Sequence, residues 1–159
     1  MSEAYQFIHE KMDKDVFDLT LEYWYQAWWK IEATGPQVVP EILPQDGMMT
    51  HLYAPNEPLM PVVASFLYNT PGVALSIHGY LVTNPDIDPS LRQAAVEAHI
   101  PAAQARAEEL GCSYQYWLAH EDSFVRRLIR NHGFEPALTK CSAAYHISGS
   151  GPKLAALEA

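Results

Sequence analysis

Apolar and polar positions change period several times along the 159-residue chain. Residues 5–11, YQFIHEK, alternate weakly, which fits a short first strand. Asp13 or Asp15 then offers an N-cap for a helix over 14–33, in which Val16, Leu19, Tyr23, Ala27 and Trp28 fall near helical spacing. The clusters Tyr23-Trp24-Tyr25 and Trp28-Trp29 are wider than one apolar stripe, so this aromatic helix, 16–31, is expected to be covered on more than one side. Two adjacent Trp side chains cannot both face inward on one helix, so at least one is expected to meet a partner or a ligand. Thr34-Gly35-Pro36 ends it.

A proline-punctuated stretch, 36–61, follows and holds one strand-like run, GMMTHLYAP. The runs VVASFLYN (62–69) and VALSIHGYLVT (73–83), joined by Thr70-Pro71-Gly72, predict an antiparallel hairpin and, with the preceding run, a three-stranded meander. Beyond the polar loop 84–89 the period turns helical. Asp88 is a natural N-cap with Pro89 at the first helical position, and Gly111 closes the helix. Pro101 should kink that helix or split it. A strand over 112–120, a helix over 122–133 ending on Gly133, and a last strand or strand pair over 134–148 complete the order. The expectation is a single α+β domain over 1–148, an α/β sandwich with helices flanking a mixed, mostly antiparallel sheet, and a flexible tail over 149–159.

An apolar fraction of 48% and a charged fraction of 18% are ordinary globular values. A net charge of −9 argues against non-specific nucleic-acid binding, and no apolar run is long enough to span a bilayer. Cys112 and Cys141 make neither a disulfide framework nor a metal-ligand spacing, so buried thiols, no metal and a cytoplasmic location are expected. The basic residues are uneven: Arg126, Arg127 and Arg130 stand with His132 in one short stretch that leaves room for a local anion site.

The second half ends in Arg130-Asn131-His132-Gly133-Phe134-Glu135-Pro136, and the block 81–136 has a strand ending near Asn84-Pro85, a long helix, Ala107-x-x-x-Gly111, a strand, a polar turn, a short helix and Gly-Phe. In this block and in its element order the chain resembles the GNAT (Gcn5-related N-acetyltransferase) superfamily, and in particular the GNAT-like proteins that tailed bacteriophages encode. The resemblance implies a GNAT-like acyl-CoA N-acyltransferase fold. It implies acetyl-CoA as co-substrate and an acetyl transfer to the amine of a small molecule or a protein. It also implies backbone contacts to the pantetheine arm from Leu81, Val82 and Thr83. The family's diphosphate motif matches best at Arg92-Gln93-Ala94-Ala95-Val96-Glu97, so Arg92 and the backbone of Gln93, Ala94, Ala95 and Val96 would hold the diphosphate at a helix N-terminus.

The match departs from the family at four positions. Ala95 replaces a glycine, and Glu97 replaces a small residue with a carboxylate expected to repel a diphosphate. Counted back from Gly133, the family's Tyr, a proton donor to the leaving thiolate, is Ile129, and its Asn is Ser123, which can still cap and hydrogen-bond. Other candidates come from the residues themselves. His78 and Tyr80 share a strand face by the two-residue period, and a neutral His78 could serve as general base. Glu121 follows a strand at its C-terminal end and is a second candidate base, while Arg126 and its neighbours could meet a phosphate. The alternative reading is a GNAT-fold protein without chemistry, such as a virion component, located in the virion or the host cytoplasm. It would bind copies of itself or other virion proteins through the aromatic helix 16–31 and the C-terminal tail.

Overall fold

A computed structural model of the protein describes residues 4–11, 14–29, 43–44, 46–53, 58–69, 71–119 and 122–136. Of the expected last strand, 134–136 are described and are not strand, while 137–148, with Cys141, and the tail lie outside the described residues, as do residues 30–33 of the first helix. Among the described residues, five strands form one sheet in chain order: β1 (Ala4–Lys11), β2 (Asp46–Tyr53), β3 (Met60–Asn69), β4 (Leu75–Thr83) and β5 (Tyr114–Trp117). The first three pairings are antiparallel and β4 runs parallel to β5. The parallel pair needs a crossover, which α3 (Pro89–Glu109) supplies, while α4 (Asp122–His132) follows β5.

The first helical stretch is not uniform. A single α-turn, α1 (Lys14–Val16), leads into a π-helical turn over Phe17–Leu21 and then α2 (Glu22–Trp29), with the Glu22 N–H donating to the Phe17 carbonyl five residues back. The stretch buries Phe17, Leu21, Trp24 and Tyr25 against Met49, Ala64, Phe66 and Val82 on one face of the sheet. The opposite face packs Val62 and Val63 against Ala95, Val96 and Ile100 of α3 and Leu128 of α4.

Helix α3 runs unbroken through Pro101, where a kink or a split was expected. Pro101 is exposed, so the Glu97 carbonyl that loses its i+4 donor lies where solvent can serve it. The Asp88 carboxylate accepts from the Ser90 N–H at 2.8 Å, as its sequence position predicts. Both terminal glycines adopt the left-handed conformation that closes a helix, Gly111 at φ 81° and Gly133 at φ 70°.

One polar feature pins α3 to the sheet. His99 is fully buried, with Nδ1 2.7 Å from Thr50 Oγ1 on β2 and Nε2 2.7 Å from Ser65 Oγ on β3. A ring with a hydroxyl on each nitrogen is satisfied when neutral. Burial, reinforced by nearby His78 and His9, depresses its pKa to about 3, and burial depresses that of His78 to about 4. Because both folded values lie below the ordinary 6.5, the unfolded chain binds more protons in between. The stabilisation is therefore complete above about pH 6.5 and is lost as the pH falls toward the folded values. The urea midpoint should drop between about pH 7.5 and pH 5 by a free energy on the order of a few kcal/mol. His99→Leu should be less stable at neutral pH yet show a shallower acid dependence. An equal slope in that variant would refute the assignment.

Candidate functional site

The site begins where two neighbouring strands part. Pairing between β4 and β5 ends at His78 and Trp117, with the Leu118 N–H donating to the His78 carbonyl at 2.9 Å. Strand β4 continues for five more residues, Gly79 to Thr83, without a β5 partner. A cleft of about 410 Å³ opens there between the end of β4, the start of α3, the residues after β5 and the start of α4.

At the same point β4 carries a bulge. Val82 pairs with Ala64 but Gly79 pairs with Phe66, so three steps on β4 oppose two on β3. Tyr80 absorbs the extra residue with φ 53°, a left-handed conformation unusual for a bulky side chain. The bulge corrects one expectation. His78 and Tyr80, two residues apart, do not share a face. His78 is buried toward α3, its ring stacked on Trp117 at 4.5 Å and 4°, and it does not line the cleft. Tyr80 packs beside Tyr68 on the α2 side and does line it. The two-residue period fails because the backbone has inserted a residue between them.

Helix α2 reaches across the sheet to this opening. The Tyr25 hydroxyl donates to the Tyr80 carbonyl at 2.6 Å, and the Trp28 indole N–H donates to the Thr83 carbonyl at 2.7 Å. The Tyr23 hydroxyl donates to Asp86 at 2.9 Å. The Arg92 guanidinium lies 4.7 Å above the Trp28 ring and donates to the carbonyls of Pro85 and Ile87. The aromatic helix is thus divided: Trp24 and Tyr25 lie in the core, Trp28 stands on the cleft wall, and Leu19, Tyr23 and Trp28 remain exposed.

Of the residues singled out in the sequence, Tyr80, Leu81, Val82, Thr83, Arg92, Gln93, Val96 and Ser123 line the cleft. Ala94 is exposed and Ala95 is fully buried beneath the helix. Because α3 begins at Pro89, residues 93–96 lie within the helix, with their N–H groups directed to its own carbonyls. That differs from the expectation of a backbone cradle at those positions. The helix start itself is closed by the Asp88 carboxylate. Arg126 is exposed and does not line the cleft, whereas Arg127 does. Glu121 lies outside the described residues. Among the described lining residues there is no carboxylate and no imidazole.

Trp28 and Arg127, both among the sequence candidates, stand on the wall, whereas sequence reasoning missed Leu118 and Phe124. Leu118 and Phe124 flank the polar turn after β5, and no local pattern ties them to the end of β4. It also gave Glu97 no partners. Glu97 is held by α4: Oε2 lies 2.7 Å from His132 Nε2 and accepts from Asn131 Nδ2 at 3.3 Å, and Oε1 is 3.4 Å from Arg127 Nε. Gly133 then turns the chain, and Phe134 meets the Trp117 ring edge-on at 6.2 Å.

This architecture has solved counterparts. An aminoglycoside acetyltransferase from an uncultured soil metagenomic sample matches at TM-score 0.55 and 11% identity, over 92% of this chain and 97% of that one. The chain has the fold of the GNAT acetyltransferases. A ribosomal-protein-alanine N-acetyltransferase from Brucella melitensis biovar Abortus 2308 matches at TM-score 0.52 and 16% identity, over 91% of this chain and 100% of that one. An aminoglycoside N-acetyltransferase in complex with CoA matches at TM-score 0.50 and 12% identity, over 94% and 99%. No protein-family model and no curated protein matches the sequence.

The clamp from α2 can be tested. Trp28→Leu removes the hydrogen bond to Thr83 and the ring beneath Arg92, and should lower stability by about 1–2 kcal/mol in urea titration. An unchanged midpoint would mean that the indole contributes nothing to closing this wall.

Proposed function

We propose that the protein is an acyl-CoA-dependent N-acyltransferase that transfers an acetyl group to an amine. The observation that carries the reading is the parting of β4 and β5 beside the bulge. It leaves the strand end Gly79 to Thr83 beyond the reach of β5, along one wall of a cleft with two arginines. A pantetheine arm, with its two amides, is chemically suited to lie along such a strand end. A similar fold is known in complex with CoA, which supports the same choice of donor. Leu81, Val82 and Thr83 would flank the arm, while Arg92, Gln93 and Ser123 would meet its polar groups.

In the transfer, the amine nitrogen bonds the thioester carbonyl carbon, the carbon–sulfur bond breaks, one proton leaves nitrogen and one reaches sulfur. Ile129 cannot supply a proton, but the Tyr80 phenol stands on the cleft wall with Tyr68 beside it. We assign Tyr80 as the donor to the leaving thiolate. His78 faces away and the described lining residues include no carboxylate or imidazole, so on this reading the amine arrives neutral, and the rate should rise with pH as the acceptor deprotonates. Placing the reacting amine and thioester together accounts for the remainder of the catalysis.

Titration calorimetry with acetyl-CoA tests donor binding, and the absence of heat at millimolar ligand would sink the reading. With an active acceptor, Tyr80→Phe should cut kcat roughly a hundredfold or more while leaving donor affinity unchanged.

A second reading is a GNAT-fold interaction protein without chemistry, such as a phage virion component. It is favoured by the Asp88 carboxylate at the start of α3 and by the capping of two β4 carbonyls by α2. It expects a stable stoichiometric assembly with other copies or other chains in native lysate, and a monomer that turns over acetyl-CoA would contradict it.

A further inference from the structure

Glu97 stands where a diphosphate-binding site would not place a carboxylate, and its surroundings reverse that reading. Its two oxygens engage three groups of α4: Arg127 Nε at 3.4 Å, Asn131 Nδ2 at 3.3 Å and His132 Nε2 at 2.7 Å. The His132 side chain is only 7% exposed, so it is fixed between the helices. The carboxylate binds the inner nitrogen of the Arg127 guanidinium, which leaves the two terminal nitrogens, with four N–H donors, beyond the contact. Arg127 itself lines the cleft.

Two facts of the opposite wall make such a cation necessary. The start of α3 is occupied by the Asp88 carboxylate, and Arg92 spends part of its donor capacity on the Pro85 and Ile87 carbonyls. Backbone donors at the helix start are therefore not what would meet an anion here. We infer that Arg127, held in place by Glu97, is the principal phosphate-recognising side chain of the cleft, and that the ligand it selects is a phosphorylated pantetheine thioester carrier. This rests on the acyl-CoA reading above and adds to it the residue that reads the phosphate. Glu97 is a positioning residue: the ionic contact from α3 removes rotamer freedom from Arg127 before the ligand arrives.

The sign of one substitution decides between positioning and repulsion. If Glu97 merely repels phosphates, Glu97→Gln must tighten CoA binding. If it positions Arg127, Glu97→Gln must weaken it. Calorimetry on the full chain with pantetheine, 4′-phosphopantetheine, dephospho-CoA and CoA separates the contributions. Arg127→Ala is expected to weaken CoA, and every shorter ligand that carries the phosphate Arg127 reads, roughly 10- to 100-fold and leave pantetheine unchanged. Arg127→Lys, which keeps the charge without the fork, is expected to recover part of that loss. Glu97→Gln is expected to weaken the same ligands several-fold, again sparing pantetheine. The ligand at which the Arg127→Ala loss first appears identifies the phosphate: the 4′-phosphate, the diphosphate or the 3′-phosphate. Tighter CoA binding by Glu97→Gln overturns the positioning role. Wild-type CoA binding matched by Arg127→Ala, with a native circular-dichroism spectrum, overturns the assignment of Arg127 and leaves the acyl-CoA reading standing. Failure of the wild-type protein to bind any of the four ligands overturns both.

Discussion

The structure depends on the place where β4 stops being an ordinary strand. Its pairing with β5 ends at His78, and the residue inserted at Tyr80 reverses the faces of everything that follows. Before the bulge, His78 faces α3; after it, Leu81 packs toward α3 while Tyr80 and Val82 pack toward α2. Without the extra residue, Tyr80 would face the His78 side and the cleft would lose its phenol. The left-handed backbone at Tyr80 is unfavourable, so it persists only because its surroundings over-determine it. The Tyr25 hydrogen bond to the Tyr80 carbonyl and the packing of its ring beside Tyr68 are such surroundings.

Around that point the molecule is built as two unequal interfaces. The α2 face is closed by large aromatic and aliphatic side chains, and the α3 face combines smaller residues with buried polar contacts. His99 holds α3 at a set height over β2 and β3, which fixes where Arg92, Gln93 and Val96 meet the cleft. The core and the cleft are therefore built together: the helix carrying the cleft-lining residues is tied down two turns further along by a neutral imidazole.

Much of this was legible in the residues. The order of elements as far as α4, the Asp88 cap, the closing glycines at 111 and 133 and the hairpin of β3 and β4 all follow from local chemistry, and the structure has them. What was not legible required knowledge of neighbours far along the chain. A two-residue period could not reveal the bulge, because Gly79-Tyr80-Leu81 has nothing in its composition that demands a left-handed tyrosine. Glu97 looked repulsive because its partners, Asn131 and His132, lie some 35 positions away. Arg126 and Arg127 are adjacent and chemically identical. Only the rotation of α4 against the sheet decides which one enters the cleft. Pro101 failed to break α3 because its position faces solvent, which periodicity alone does not price.

The bonds from Tyr25 and Trp28 to the carbonyls of Tyr80 and Thr83 carry a consequence for how such a chain can diversify. Two side chains of α2 are bonded to the strand end that lines the cleft. A replacement at either position alters the helix surface and the cleft wall at once. Drift along α2 is thereby tied to the integrity of that strand end, and, on the proposed acyltransferase reading, new acceptor specificities are left to the surfaces that carry no such tie.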